Sequence, residues 1–407
     1  MPLMKDVVIV GAGHGAGQVV STLVQKKYHG RITLIGDEPW HPYQRPPLSK
    51  KYLAGDMSAE RLYLKPKSFY NPAVIDVKLD TRVIAIDPIA HSVTTSGDDT
   101  VPYNKLVLAT GSRPRLLDVS GIDLEGIHYL RNIDDVDKIR EGMSAGSKIT
   151  IVGAGYIGLE VAAVAVSLGL NVSVIEMQDR VMGRTVSPKL SDFYQQVHRD
   201  HGVNLVLGAG VIAFVGDGQV EGVILSTGKT LPADIVVIGV GIVPNVELAE
   251  ESGLETANGI VVDERCRTSD SDIYAIGDCT FHPNALLGCN LRLESVHNAL
   301  EQAKTAANNI CGEDDAYSQI PWFWSDQYNL KLQIFGLSKG YDQIVVRGEP
   351  NQHSFAFLYL RDGVLISIDA VNRPRDFVQS RALIATGAKV AADKLADVNI
   401  QLKDLLL

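Results

Sequence analysis

The 407-residue sequence predicts an α/β protein with two parallel, nucleotide-binding units and a smaller α+β C-terminal region. Three observations predict it. Apolar β-formers, Val7 to Val10, enter the glycine-rich turn Gly11-Ala12-Gly13-His14-Gly15-Ala16, and an apolar, helix-compatible segment follows. The same order returns well down the chain, where Ile149 to Val152 enter Gly153-Ala154-Gly155-Tyr156-Ile157-Gly158. Beyond residue 321 the pattern becomes strand-like alternation and then a helical tail.

Both turns carry the chemistry of a Rossmann-like βαβ unit. The first glycine makes the bend and the second lets backbone approach a pyrophosphate. The third position must be small so that helix packs on strand. Phosphate then sits at the helix N-terminus, where free N–H groups and the helix dipole favour negative charge. Ala16 holds the third position of the first motif and is small enough that no functional change is expected.

In chain order, a strand at 32–35 ends in Gly36-Asp37, and Asp37 follows Gly11 at close to the spacing at which a carboxylate meets a ribose hydroxyl. In Arg45-Pro46-Pro47-Leu48-Ser49-Lys50 the prolines stiffen the loop, are expected to keep a helix from starting before Leu48, and give the lysine a rigid placement. Strand-like pieces near 82–86 and 91–95 lead to a buried strand from Lys105 that ends in Ala109-Thr110-Gly111. Small residues there admit another backbone or a ligand. Residues 112–115 mark a domain crossing.

In the second unit a strand from Asn171 ends in Glu176, which follows Gly153 at a similar spacing. A carboxylate there favours a free 2′-hydroxyl, hence NADH over NADPH; the nearest arginines, Arg180 and Arg184, lie further on. A hairpin-rich patch at 203–225 precedes a buried strand from Asp234 that ends at Gly239 and Gly241, mirroring the 105–111 strand as an internal duplication predicts. The unit is expected to end near Asn245. Residues 273–276 run as a strand into Gly277-Asp278, an aspartate able to accept from a ligand hydroxyl. A helix is expected over 294–307. Residues 321–327 hold two of the three tryptophans, and strands near 344–346, 354–360 and 364–370 precede the helical tail.

Net charge of −10 gives a nucleic-acid-coating role no electrostatic support. The four cysteines form no C-x-x-C and none precedes Cys266, which points to a reducing, cytoplasmic setting without disulfides or zinc. The ten histidines are scattered, so no metal site is expected. Only Lys5 and Asp6 carry charge ahead of the first strand, and no signal peptide is expected. From Ile149 to Ile175 the one charge is Glu160; a buried βαβ unit, and not a membrane span, explains that run.

Two motifs, each with its own downstream carboxylate, argue for two dinucleotides, FAD at the first and NADH at the second. A flavin takes up a hydride and releases electrons singly. With no dithiol, and no cysteine in the first half, reduced flavin must pass electrons directly to an outside acceptor.

Over nearly its whole length the chain resembles the NADH-dependent ferredoxin reductases of bacterial oxygenase systems, of the putidaredoxin reductase type. The marks are Arg45–Lys50, Gly153–Glu160, Ile276-Gly277-Asp278, Pro321–Gln327 and Val371-Asn372-Arg373-Pro374. The resemblance implies a glutathione-reductase-like fold, with an FAD domain at 1–112 and 246–320, an NAD domain at 113–245 and a C-terminal domain at 321–407. It implies FAD contacts at Gly13, Gly15, Asp37, Arg45, Lys50, Val83, Ala109, Arg131, Asp278 and Val296, with Gly11, His14, Thr110, Gly111, Gly277 and Glu294 beside them. Arg131 would meet the pyrophosphate and Asp278 the ribityl chain. NADH contacts would fall to Gly153, Gly155, Tyr156, Ile157, Gly158, Glu160, Glu176 and Gly241. Lys50 and Glu160 would pair beside flavin N5, where positive charge stabilises reduced flavin. Trp324 would lie at the isoalloxazine edge, facing an acidic [2Fe–2S] ferredoxin. Docking on an acidic chain requires a local basic patch, for which Arg292, Lys304, Arg373 and Arg375 are candidates. Alternatives on the same fold are a reductase of rubredoxin, quinone or ascorbate radical, or a non-enzymatic NADH-sensing flavoprotein.

Overall fold

Val7–Val10 and Ile32–Ile35 are apolar without alternation, the pattern of strands covered on both faces. They form the centre of a parallel sheet in the order Ile273–Ala275, Lys105–Leu108, Val7–Val10, Ile32–Ile35, Ile75–Lys78, with Val7 level with Ile32 and Lys105. The helix His14–Gln25 covers one face through Val19, Val20 and Leu23, together with Ala303, Ala306 and Ala307 of the helix Val296–Ile310. On the other face Val83 and Val93, from an antiparallel meander of Val83–Asp87, Ser92–Thr95 and Thr100–Pro102, pack on Val8 and Val10. The computed structural model describes residues 6–285 and 288–406; Lys5 lies outside them.

The pattern occurs twice. The second parallel sheet runs Asn204–Leu207, Asn171–Glu176, Lys148–Val152, Ile235–Ile238, Ile127–Tyr129. A second meander, Val211–Val215, Gly222–Leu225 and Thr230–Pro232, again immediately precedes the strand that pairs with the strand entering the glycine turn. An antiparallel sheet follows, in the order Trp322–Gln327, Leu330–Gly336, Val364–Val371, Ser354–Arg361, Gln343–Glu349, with the helix Pro374–Ala385 packed on it. This is the α/β fold with two Rossmann-like units and an α+β C-terminal region. Buried Arg347 pins the tail to that last sheet: it pairs with Asp376 at 3.0 Å and donates to the carbonyls of Leu395, Asp397 and Ile400.

The chain groups into two compact units. The first holds the segment up to Arg45, Ala59–Arg113 and Ile242–Pro321; the second holds Pro46–Ser58, Pro114–Gly241 and the chain from Trp322 onward. Among the described residues no helix is long and apolar enough to cross a membrane.

One expectation is corrected. Helical backbone does begin before Leu48: a 3₁₀ turn spans Pro46–Ser49. Proline is tolerated in the first turn, because its φ suits helix and its missing N–H has no partner there to lose. Two further helices, Ile133–Gly142 and Pro188–Asp200, were not among the expected elements. Asn132 and Asp135 start the first with a reciprocal capping box, and Ser187 caps the second with proline next to it.

Candidate functional site

In the first unit, Gly11 has φ +109°, and a side chain there would overlap the Ala109 carbonyl, so only glycine closes this turn. At Gly13, by contrast, no atom lies within 4 Å of where a Cβ would stand. Gly13 opens the helix His14–Gln25 without a side-chain cap or an acidic residue in the first turn. Bare backbone N–H groups beside open space are what a pyrophosphate requires. The second unit repeats this: Gly153 has φ +105° against the Gly239 carbonyl, Gly155 faces open space, and the helix Tyr156–Ser167 starts uncapped. The helices at Ile133, Pro188 and Val296 are instead side-chain capped, by Asn132, Ser187 and Ser295.

The third position differs between the copies. A side chain at Gly158 would overlap the Gly153 carbonyl, whereas Ala16 is accommodated with no exposure. The strand ends differ as well. Gly11 and Gly153 donate to the carbonyls of Ile35 and Ile175, so Glu176 is level with Gly36 and Asp37 lies one residue further out. A side chain at Gly36 would press on Ala12 Cβ, which accounts for the glycine and for the displaced acid. Asp37 is exposed. The Glu176 carboxylate accepts from Ala154 N at 2.8 Å and Gln178 N at 2.9 Å, which holds it beside the turn. Arg180 is committed to Val186 O, Ser191 Oγ and Gly183 O. Arg184 and Gly241, at φ +111°, come close.

Other predicted residues of the first unit gather around the sheet's C-terminal edge. Ser112 Oγ donates to Asp278 at 2.9 Å, and Gly277 N donates to buried Gln302 at 2.7 Å. Thr110 and Asn245 exchange hydrogen bonds at 2.8 Å, which ties down the end at Gly111, φ +63°. Arg45 pairs with Glu38 at 2.5 Å and donates to Tyr43; burial opposes its charge, but Tyr43, Glu38 and Asp278 outweigh that and raise its pKa. Gly15 is buried against Ile276, and Val83 is a core residue. Val296 opens its helix. Glu294 is exposed and pairs with Arg292 at 2.5 Å.

In the second unit Lys50 Nζ lies 2.6 Å from Glu160 Oε2, with Glu160 4% exposed. Ser49 donates to the same oxygen at 2.5 Å and Ser325 to Oε1 at 2.6 Å. Neither serine was singled out from sequence, and nothing in their sequence neighbours marks them. Arg131 is placed by the capping box, its N–H donating to Asp135 at 2.8 Å. Tyr156 packs on Phe323 with ring centres 4.5 Å apart, and Ile157 is exposed. Trp324 is half-buried, 5.4 Å from Trp322. Of the basic candidates, Lys304 pairs with Glu301 and Arg373 with Asp376, both at 2.6 Å; Asp376 is shared with buried Arg347, so Lys304 and Arg292 are balanced by carboxylates of their own and Arg373 is not. Arg375 is exposed.

All four cysteines are free; burial raises the Cys279 thiol, which donates to Ile276 O, so it is no relay beside Asp278. No cluster suited to a metal occurs among the described residues.

Residues 5–303 match the family described as pyridine nucleotide-disulphide oxidoreductase, and residues 322–406 match the reductase C-terminal family. The chain belongs to this oxidoreductase family. It is 44% identical over 403 residues to the 5,5'-dehydrodivanillate O-demethylase ferredoxin reductase subunit of Sphingobium sp. (strain NBRC 103272 / SYK-6), covering 98% of each chain. It is 40% identical to putidaredoxin reductase of Pseudomonas putida, over 98% of this chain and 96% of that one. The crystal structure of a covalent putidaredoxin reductase–putidaredoxin complex superposes with a TM-score of 0.96 at 40% identity, over 99% and 98% of the chains.

Proposed function

We propose that this chain is an FAD-containing NADH:ferredoxin oxidoreductase that passes electrons from NADH through FAD to a [2Fe–2S] ferredoxin supplying an oxygenase. The observation that carries this is the doubled nucleotide turn, each with an uncapped helix and open space, in a chain with four free cysteines and near full-length likeness to reductases named for ferredoxins.

When bound, FAD supplies the step between a two-electron hydride donor and a one-electron iron–sulfur acceptor. The chain's own residues bind, orient and polarise. In the first unit the turn at Gly11–Gly15, with Asp37, Arg45 and Asp278, is fitted to FAD. In the second, the turn at Gly153–Gly158 takes the pyrophosphate of NADH, and Glu176 accepts from its ribose hydroxyls. Arg180, already engaged, offers nothing to a 2′-phosphate. Lys50 and Arg131 bring positive charge to the flavin and its pyrophosphate, and Glu160 holds Lys50 in place. Trp324 is the aromatic group nearest the acceptor in this reading. The domain division follows: FAD at 1–112 and 246–320, NAD at 113–245, C-terminal at 321–407. Free thiols fit a cytoplasmic setting.

A visible spectrum and an anaerobic NADH titration test the cofactor and the donor. Flavin bands that bleach with one equivalent of NADH are expected; a colourless protein, or one unmoved by NADH, refutes the reading. Stopped-flow oxidation by a [2Fe–2S] ferredoxin should run well above dye and oxygen background, and a preference for rubredoxin or quinone would reassign the acceptor.

A further inference from the structure

The strand Trp322–Gln327 turns Phe323, Ser325 and Gln327 to one side, as strand periodicity requires. They meet Tyr156, Glu160 and His198 in turn. Ser325 is fully buried, and Gln327 and His198 are 1% and 0% exposed. Buried polar side chains destabilise unless paired, and here every pairing runs one way.

The Glu160 carboxylate, salt-bridged to Lys50, can only accept. Ser325 Oγ must therefore donate to Oε1, at 2.6 Å. With that proton spent, Ser325 can only accept from Gln327 Nε2, at 3.2 Å. The Gln327 carbonyl then faces His198 Nε2 at 2.8 Å, so the ring carries its hydrogen on Nε2. His198 Nδ1 is left to accept from the Tyr328 hydroxyl at 3.0 Å. Burial lowers His198 to about 4 against the opposing pull of the Gln327 hydrogen bond, and His201 adds to the lowering; the ring is neutral, as one tautomer demands. Tyr328 has φ +54°, rare for a side-chain-bearing residue, and stacks on His201 at 3.8 Å. The turn accepts that conformation and so ends the chain of hydrogen bonds on the helix Pro188–Asp200.

An amide does not relay protons, so this is not a proton wire. We propose that Ser325, Gln327 and His198 are positioning residues: a hydrogen-bond brace of fixed polarity that locks the Glu160 carboxylate and, through it, the Lys50 ammonium. The proposal rests on the reading that Lys50 acts at the flavin. Without the brace, Oε1 loses its donor and the carboxylate is free to rotate with its lysine.

Two measurements test it. Nitrogen-15 NMR of histidine-labelled holoenzyme at pH 7, with His198 assigned from His198→Gln, should show a neutral ring protonated on Nε2; a hydrogen on Nδ1 or a charged ring overturns the brace. Ser325→Ala should slow flavin reduction at saturating NADH about tenfold, the loss of one hydrogen bond to a charged group. KM for NADH and FAD content should stay within twofold. A parental rate, or a loss confined to KM, overturns the proposal. If Ser325→Ala fails to hold FAD, Gln327→Glu decides: it keeps volume but reverses polarity, and should give a charged His198 and slow reduction, whereas an unchanged ring and rate refute the brace. Were parental flavin itself unreduced by NADH, the functional reading would fall while the tautomer result stood.

Discussion

Glu176 and Lys50 show how the fold holds single charged groups at the places the proposed function gives them. The Glu176 carboxylate is fixed by two backbone N–H donors, so in the proposed role it would meet a ribose without first being ordered. Replacing it with lysine removes the acceptor and adds a charge suited to a 2′-phosphate. Glu176→Lys should raise KM for NADH at least tenfold and improve NADPH, in steady-state assays of both nucleotides; an unmoved ratio would dissociate Glu176 from the ribose. Lys50→Met should slow flavin reduction about tenfold with the flavin absorbance retained, because the positive charge is lost and the site is not. At this scale the sequence was partly legible. Glu160 and Lys50 were found through motifs, but Ser49, Ser325 and Gln302 were not, since a serine or glutamine carries no period that betrays its partner. Of the basic docking candidates, Arg292 and Arg373 each lie beside a carboxylate close in the chain, Glu294 and Asp376.

Elements show where near-identical motifs diverge. The turn at Gly153 packs its helix so closely that residue 158 must lack a side chain, while the turn at Gly11 leaves room for Ala16. Gly158→Ala should therefore push the helix off its turn and raise KM for NADH about tenfold or more, with FAD content unchanged. In the C-terminal sheet, burial raises Asp369 to about 7 against the Tyr359 hydroxyl, which donates at 2.5 Å. The native state thus holds a proton that the unfolded chain releases near pH 4. Stability from this group is full below about pH 4 and is lost as pH rises to about 7, on the order of 2–4 kcal/mol. The melting temperature of Asp369→Asn minus that of the parent should climb over that window and level off above it; a difference that stays flat across the window would show that Asp369 is ionised throughout. The helices at Ile133 and Pro188 were missed as elements because their apolar stripes are short, although Asn132-x-x-Asp135 and Ser187-Pro188 were readable caps.

For the molecule as a whole, bound FAD is part of the folding free energy. A ligand present at a thousandfold its Kd adds about 4 kcal/mol. Stripping FAD should lower the melting temperature by roughly 5 °C, and added FAD should restore it. A melting point indifferent to FAD would contradict the cofactor assignment.

The sequence by itself determined the duplicated α/β plan, the two nucleotide turns and the change to strand alternation in an α+β C-terminal region. Those features are local: glycine at a bend, apolar runs in covered strands, alternation in a sheet. Tertiary structure alone decided that Glu176 is level with Gly36 and not Asp37, that Ser49 and Ser325 join Lys50 on Glu160, and that His198 is held in one tautomer. Each depends on groups distant in the chain being brought within a few ångströms, and hydrogen-bond polarity exists only once donor and acceptor have met.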